Sequence, residues 1–323
     1  IDAQKLVEGA INGMLEALDD PYTAYMNKEE SESFFEQINS EFEGIGAEVR
    51  EVDGQTMIVV PIKGSPAEKA GLKPNDIILK ANDVDLTGMS IQESVKYLRG
   101  PKGTEVTLLV RRPGLAEPFE VKIVRDQIPL QTVFIESVED GTAVIRISRF
   151  SQTTVGEFEQ ALRETQDRGA EGIVIDLRQN PGGLLNVVFE ICEKFVPKGK
   201  LVVQVKYRDG TVQEYRSQQD PLDLPVVLLV DQGSASASEI MAGALKESAG
   251  VPLVGVTTYG KGTVQTTVPY RDGTSLKFTT AQWLTPLGNQ IHKKGVAPDY
   301  EVRLPDYAEL PYLFVEQPFA PGD

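Results

Sequence analysis

Apolar and polar positions divide the 323 residues into three stretches of different period. In the first, Leu6, Val7, Ala10, Ile11, Met14, Leu15 and Leu18 recur at helical spacing and predict a one-faced helix over residues 4–18. Asp19-Asp20-Pro21 ends it. Asn27, with Glu30 three residues on, predicts the start of a second helix that runs to about Ser40 and carries Phe34, Phe35 and Ile38 on its apolar side. Two short helices cannot enclose a core, so residues 1–41 are expected to dock on the rest of the chain or on another subunit.

From Phe42 the pattern shortens to β-runs at residues 46–50, 56–60, 77–80, 106–111 and 119–124. Turn signals at Asp53-Gly54, Gly64-Ser65-Pro66, Lys73–Asp76 and Gly100–Gly103 punctuate them, and one helix, Ser90 to Leu98, interrupts. Arg125–Pro129 reads as a boundary. Beyond it strand-like and helix-like runs alternate: a strand at 142–147, a helix at 154–168, a nearly all-apolar strand at 172–177, and a helix to about Phe195. Then come a strand at 225–230 and a helix-like segment at 239–247. This alternation implies βαβ crossovers and a sheet covered by helices, within a mixed α/β chain. The expected units are 1–41, 42–126, 127–303, and a tail 304–323 that packs on the core or on a partner.

Composition changes the picture by exclusion. Hydrophobic residues at 41% and charged residues at 25% are ordinary for a globular protein. A net charge of −16, without a basic run, argues against nucleic acid as a partner. No window approaches the roughly 20 apolar residues of a membrane-spanning helix. The opening Ile1-Asp2-Ala3 has no initiator Met and no basic or apolar leader, as expected of a trimmed or mature chain, so an export signal or membrane anchor would lie upstream. The single cysteine, Cys192, falls in an apolar pattern and is expected to be a buried, inert thiol.

The candidate chemistry gathers in residues 225–265. The strand Pro225–Val230 turns through Asp231-Gln-Gly-Ser-Ala-Ser-Ala-Ser238 into a helix, and such a turn can expose a hydroxyl where backbone amides stabilise negative charge. Ser234, Ser236 and Ser238 are all candidates, and Ser238 is also a good N-cap. One histidine, His292, is present, so a multi-histidine zinc site is impossible and a histidine-based triad would have to use it. His292 lies among lysines and reads as structural. Lys261, between two glycines, is the alternative base, because burial can bring a lysine amine near neutrality. Asn180-Pro-Gly-Gly183 follows another strand, at the strand-to-helix junctions where binding sites of such sheets gather.

Two resemblances sharpen these readings. Gly44-Ile45-Gly46-Ala47, with Ser65–Leu72 and Asp76-Ile77-Ile78, resembles a PDZ domain, whose Gly-containing loop holds a peptide's terminal carboxylate while the adjoining strand pairs with its backbone. Ile45, Val95 and Leu98 would then line an apolar pocket for the last side chain. Arg99, directly after the helix, is expected either at the solvated surface or as a sensor coupling groove occupancy to the rest of the chain. Gly233–Ile240, Tyr259–Gln265, Asp176–Gly183, Trp283–Pro286 with Ile291–Gly295, and Asp20-Pro-Tyr-Thr23 together resemble the carboxyl-terminal processing, or tail-specific, proteases. The resemblance runs from about Leu6 to about Leu313.

It implies a β-barrel-like PDZ domain with helices, set before a protease core, and a serine endopeptidase that cleaves near protein C-termini. It places the nucleophile on Ser236 and the general base on Lys261, with Gln265 positioning the amine. It gives the oxyanion donors as the amides of Ala237 and of a glycine in Pro181-Gly-Gly183, with Gly182 favoured. It calls for no cofactor or metal, for partners that are polypeptides with free, apolar C-termini, and for an extracytoplasmic location. The two N-terminal helices and the tail residues Tyr307, Leu310, Tyr312 and Leu313 suggest a homodimer. Two other functions stay open from the residues alone: a PDZ-type binding protein with an inactive second domain, and, from crossover topology only, an acyl-transfer enzyme of the CoA type.

Overall fold

Residues 3–303 are described in the computed structural model of the chain. The tail from Leu304 lies outside them.

The N-terminal helix α1 (Ala3–Glu16) buries none of its residues and leaves Leu6, Val7 and Met14 exposed. After a short strand β1 (Ala24–Met26), helix α2 (Lys28–Asn39) begins at Asn27 with a reciprocal cap. The Asn27 side chain accepts the Glu30 amide at 3.0 Å, and the Glu30 carboxylate accepts the Asn27 amide at 2.9 Å. Two otherwise orphaned helix donors are thereby satisfied.

The next unit is entered through β2 (Glu41–Gly44) and left through β9 (Asp126–Pro129), which pair with each other antiparallel. Between them lie β3 (Ala47–Val52), β4 (Gln55–Pro61), α3 (Pro66–Lys69), β5 (Ile77–Ala81) and β6 (Val84–Asp85), followed by α4 (Ile91–Leu98), β7 (Glu105–Arg111) and β8 (Phe119–Val124). The antiparallel sheet runs β3-β4-β5-β7-β8, with β6 on β5. It is open rather than barrel-like: β3 and β8 stay at opposite edges, and α4 packs near β3 and α3 near β8. Helices cover the gap that closure of the sheet would otherwise fill. Ile58, Ile78, Leu86, Leu108 and Ile123 form the core, and Arg112 makes a two-pronged hydrogen bond to the buried Asp76.

The largest unit holds β10 (Val133–Glu139), β11 (Thr142–Ile147), α5 (Thr154–Asp167), β12 (Gly172–Asp176), α6 (Leu185–Cys192), β13 (Leu201–Tyr207) and β14 (Val212–Arg216). It continues through β15 (Val226–Val230), α7 (Ala237–Ala244), β16 (Leu253–Gly255), β17 (Thr263–Pro269), β18 (Ser275–Leu284) and β19 (Tyr300–Glu301). The central sheet is ordered β10-β11-β12-β15-β16-β19, parallel throughout except for β10 against β11. The helices α5, α6 and α7 contribute apolar faces to its core, as the alternating pattern predicts for a sheet buried on both sides. Cys192 is buried there, and desolvation pushes its thiol well above the usual range.

A second sheet, β1-β18-β13-β14 with β17 on β18, is antiparallel and includes the N-terminal strand. Ala24 lies opposite Lys277 and Met26 opposite Ser275, while Ser275 donates a 2.9 Å hydrogen bond to Ser31 of α2. Residues 20–39 therefore dock on the same chain.

Candidate active site

Adjacent parallel strands β12 and β15 end at the same edge of the central sheet, and the two loops that follow them are tied together. Gln179 donates its amide and its side chain to the Asp231 carboxylate at 2.9 and 2.6 Å. The Asn180 carbonyl accepts the Ala235 amide at 3.0 Å, and the Asn180 side chain reaches the Ile147 carbonyl at 2.8 Å. These bonds fix the turn from Asp231 to Ser238.

The three serines of that turn differ in what their hydroxyls do. Ser234 Oγ, fully buried, donates to the Leu177 carbonyl at 2.8 Å and accepts the Asp231 amide. Ser238 Oγ, also fully buried, donates to the Asn180 carbonyl at 2.9 Å. The Ser236 hydroxyl donates to no acceptor among the described residues, and Ser236 is partly open to solvent. Its backbone is unusual, with φ 56° and ψ −113° at the N-cap of α7. A non-glycine residue in such a region costs of order 1–3 kcal/mol and persists only when its surroundings over-determine it.

Glu239 is part of those surroundings. Its side chain is wholly buried and accepts four hydrogen bonds: from the Ser236 amide at 2.8 Å, the Thr258 hydroxyl at 2.6 Å, the Gly260 amide at 2.6 Å and the Lys261 amide at 2.8 Å. A buried carboxylate is tolerated when its oxygens are saturated in this way. Its partners belong to the Ser236 turn and to the loop that delivers Lys261. In the sequence Glu239 reads only as a helical residue; the Ser-x-x-Glu capping pattern at 236–239 is the signal that marks it.

The Gly260-Lys261-Gly262 turn is braced from outside as well. Trp283 donates its indole N–H to the Lys261 carbonyl at 2.9 Å and its amide to the Gly262 carbonyl at 3.0 Å, and the Lys293 amide bonds to the Gly260 carbonyl at 2.8 Å. The Trp283–Pro286 and Ile291–Gly295 motifs thus support the lysine turn. His292 packs edge-on against Tyr22, with ring centroids 6.1 Å apart. The Lys261 amine has no hydrogen-bonding or carboxylate partner among the described residues and sits over the Tyr22 ring, 5.2 Å from its centroid. Burial pulls its pKa below the ordinary lysine value, the nearby positive charge of Lys277 pulls the same way, and Glu239 opposes them.

Gln265, on β17, donates to Thr263 Oγ1 at 2.8 Å and Thr279 Oγ1 at 3.3 Å; no hydrogen bond joins it to Lys261. Ala237 is the first residue of α7, and its amide meets no acceptor among the described residues. Gly182, at φ 103°, is pressed on the serine turn: a Cβ there would stand 2.7 Å from the Ala235 carbonyl oxygen and 2.8 Å from Ser236 Cβ. Its own amide is held by the Asn180 side-chain oxygen at 2.8 Å.

In the smaller unit, Gly44 and Arg99 face each other in an isolated antiparallel bridge, bringing the Gly44–Ala47 loop to the end of α4. Gly46 has φ 75°, and a Cβ there would fall 2.4 Å from Ser65 Cβ. Ile45 and Leu98 are buried in the core of this unit, Ala47 is half-buried against it, and Val95 is half-buried. Arg99 is exposed at the surface, where it pairs with Glu36 of α2 at 2.9 Å and lies 5.0 Å over the Phe42 ring.

Comparison with known proteins places these features in one family. Residues 141–302 match the model of peptidase family S41, residues 57–112 a PDZ domain, and residues 1–30 the activating protease CtpB N-terminal domain. The chain is similar to the carboxy-terminal processing protease CtpA of Bacillus subtilis, 48% identical over the whole of this chain and 69% of that protein. It is similar also to CtpB of the same organism, 47% identical over 98% of this chain and 67% of that protein. Among solved structures, a photosystem II D1 C-terminal processing protease superposes with a TM-score of 0.55 at 28% identity, covering 94% of this chain and 83% of that one. The chain belongs to peptidase family S41 and is a PDZ-containing serine peptidase of the carboxy-terminal processing type.

Proposed function

We propose that the chain cleaves polypeptides near their C-termini with a Ser236–Lys261 dyad and recognises the tail through its PDZ domain. In this reading Lys261 takes the proton of Ser236 as the hydroxyl attacks the scissile carbonyl. The amides of Ala237 and Gly182 hold the oxyanion, and water then hydrolyses the acyl-enzyme. The observation that carries the reading is the Glu239 carboxylate, which accepts the Ser236 and Lys261 amides at once. Two adjustments separate the described arrangement from the acting one. The Gln265 amide must turn from Thr263 and Thr279 toward Lys261, and the Gly182 amide must exchange the Asn180 oxygen for the oxyanion. Mass spectrometry of an unstructured, casein-like protein incubated with the parent, Ser236→Ala and Lys261→Ala chains tests the dyad; full activity in either variant removes it.

The tail would enter between β3 and α4, its carboxylate on the Gly44–Ala47 loop and its last, apolar side chain toward Ile45, Val95 and Leu98. Arg99 is the proposed sensor. It links the end of α4 to α2, which is itself bonded to β18, the neighbour of the β17 strand that carries Gln265. The exposed apolar residues of α1 support a homodimer through that helix, which light scattering tests: a monomer mass at all working concentrations removes it. An extracytoplasmic location, with an anchor upstream of residue 1, is proposed on the family resemblance; fractionation of cells producing the natural protein tests it.

A further inference from the structure

The sequence pattern Asp20-Pro21-Tyr22-Thr23 matches the family, yet the dyad as proposed gives it no task. In the structure these four residues form a tight turn. The Asp20 carboxylate accepts the Tyr22 amide at 3.1 Å and the Thr23 hydroxyl at 2.6 Å, and the Asp20 carbonyl accepts the Thr23 amide at 3.2 Å. The turn leads directly into β1, which is zipped onto β18 of the protease unit over three residue pairs. Asp20 also lies near Thr279, one of the two threonines to which Gln265 donates. Tyr22 is thus delivered to the lysine turn from a stretch 239 residues away in sequence.

Its ring lies under the Lys261 amine, 5.2 Å from centroid to Nζ, within the range at which an ammonium is drawn to an aromatic face. Around this pair stand Lys277 and Glu239 on the lysine's side, and Tyr259, His292 and Asp20 on the tyrosine's side. Lys277 is itself drawn off, 5.1 Å over the Phe34 ring. No carboxylate within ion-pair distance competes for the Lys261 charge among the described residues.

We propose that Tyr22 is a positioning residue for Lys261: its ring face holds the lysine ammonium in the substrate-free enzyme, so that the N-terminal turn is a built part of the active site. The proposal rests on the reading of Lys261 as the base. In that role Lys261 leaves the ring as a neutral amine, because the attraction to the ring acts on the charged form and vanishes with the proton. Tyr22 therefore favours the protonated resting lysine and raises the pH at which the amine becomes free to act, against burial and Lys277, which lower it.

Two readouts test this in the full chain. In the Ser236→Ala protein labelled with 13Cε-lysine, the Lys261 εCH2 protons should resonate upfield of the other lysines through the ring current. Tyr22→Phe should keep that shift and Tyr22→Leu should lose it. In the active chain, the acid limb of kcat/KM against pH should keep its position in Tyr22→Phe and move to lower pH by about half a unit to one unit in Tyr22→Leu. Thermal unfolding of Tyr22→Leu is followed alongside, and if that variant unfolds, Tyr22→Met supplies the ring-free comparison. An εCH2 resonance or an acid limb that the folded ring-free variant leaves unmoved overturns the proposal while Lys261→Ala stays inactive. A fully active Lys261→Ala overturns instead the reading on which the proposal rests, and the NMR shift then still reports the contact by itself.

Discussion

The backbone amide of Ser236 donates to the side chain of Glu239, three residues later, at 2.8 Å, and holds the serine at φ 56°. The same carboxylate reaches across to the amide of Lys261. One buried side chain thus fixes both the strained seat of the proposed nucleophile and the turn that carries the proposed base. Replacing it removes four hydrogen bonds together. Glu239→Ala is expected to destabilise the chain by about 3 kcal/mol or more, since buried donors left without partners cost about 1–3 kcal/mol each and neighbours partly compensate. Urea unfolding measures this. Glu239→Gln should retain part of the stability but lose activity more than tenfold, and parental kcat/KM in that variant would show that the carboxylate does not position the dyad.

The acid limb of the pH profile should report Lys261. Burial and Lys277 both disfavour its ammonium, so its folded pKa lies below that of a lysine in the unfolded chain. Between those two values the unfolded chain binds more protons, and stability therefore rises with pH across that window and is lost as pH falls to the folded value. Lys277→Met removes a like charge, raises the Lys261 pKa, and is expected to move the acid limb of kcat/KM to higher pH. A shift to lower pH would contradict the electrostatic account.

Gly182 and Gly46 occupy places that a Cβ cannot share. Gly182→Ala puts a methyl against the Ala235 carbonyl and Ser236 Cβ at a positive φ, so activity should fall by orders of magnitude with a stability loss of roughly 1–3 kcal/mol. Gly46→Ala should disturb the loop against Ser65 and weaken binding of an apolar-tailed peptide, measured by calorimetry, while Ser236 chemistry on an untailed ester substrate survives. Equal loss on both substrates would mean that the loop is not a separate tail site.

Arg99 pairs with Glu36 across two units, both ends partly exposed, so the pair itself contributes little stability, about 0–1 kcal/mol. Its proposed value lies in coupling. Arg99→Ala and Glu36→Gln should leave the melting temperature nearly unchanged but alter cleavage of a long tailed substrate. Unchanged cleavage at all substrate concentrations would remove the sensor.

Much of this was legible from the residues. The reciprocal cap of Asn27 and Glu30 and the βαβ alternation follow from local pattern and appear in the structure as expected. The start of α7 does not: it begins at Ala237, two residues before the helix-like run, because the turn around Ser236 is set by bonds to Asn180 and Glu239 rather than by propensity. The strands β13, β14, β17 and β18 are missed although β13–β14 and β17–β18 pair as neighbours in the chain, because the pairing that joins the two hairpins into one half-exposed sheet, β13 with β18, links residues distant in sequence. The serine choice shows the same limit. Composition treats Ser234, Ser236 and Ser238 alike, and only tertiary bonding separates the two committed hydroxyls from the third. Tyr22 and Glu239 are visible as letters of motifs, but which turn each one faces is a property of the folded chain.

The most direct measurement is active-site trapping by intact-mass spectrometry with a slow acylating ester or a serine-directed phosphonate. The account predicts a single adduct on Ser236 in the parent, none in Ser236→Ala, and adduct formation at least a hundredfold slower in Lys261→Ala at neutral pH. An adduct on Ser234 or Ser238, or parental labelling rate in Lys261→Ala, would contradict it.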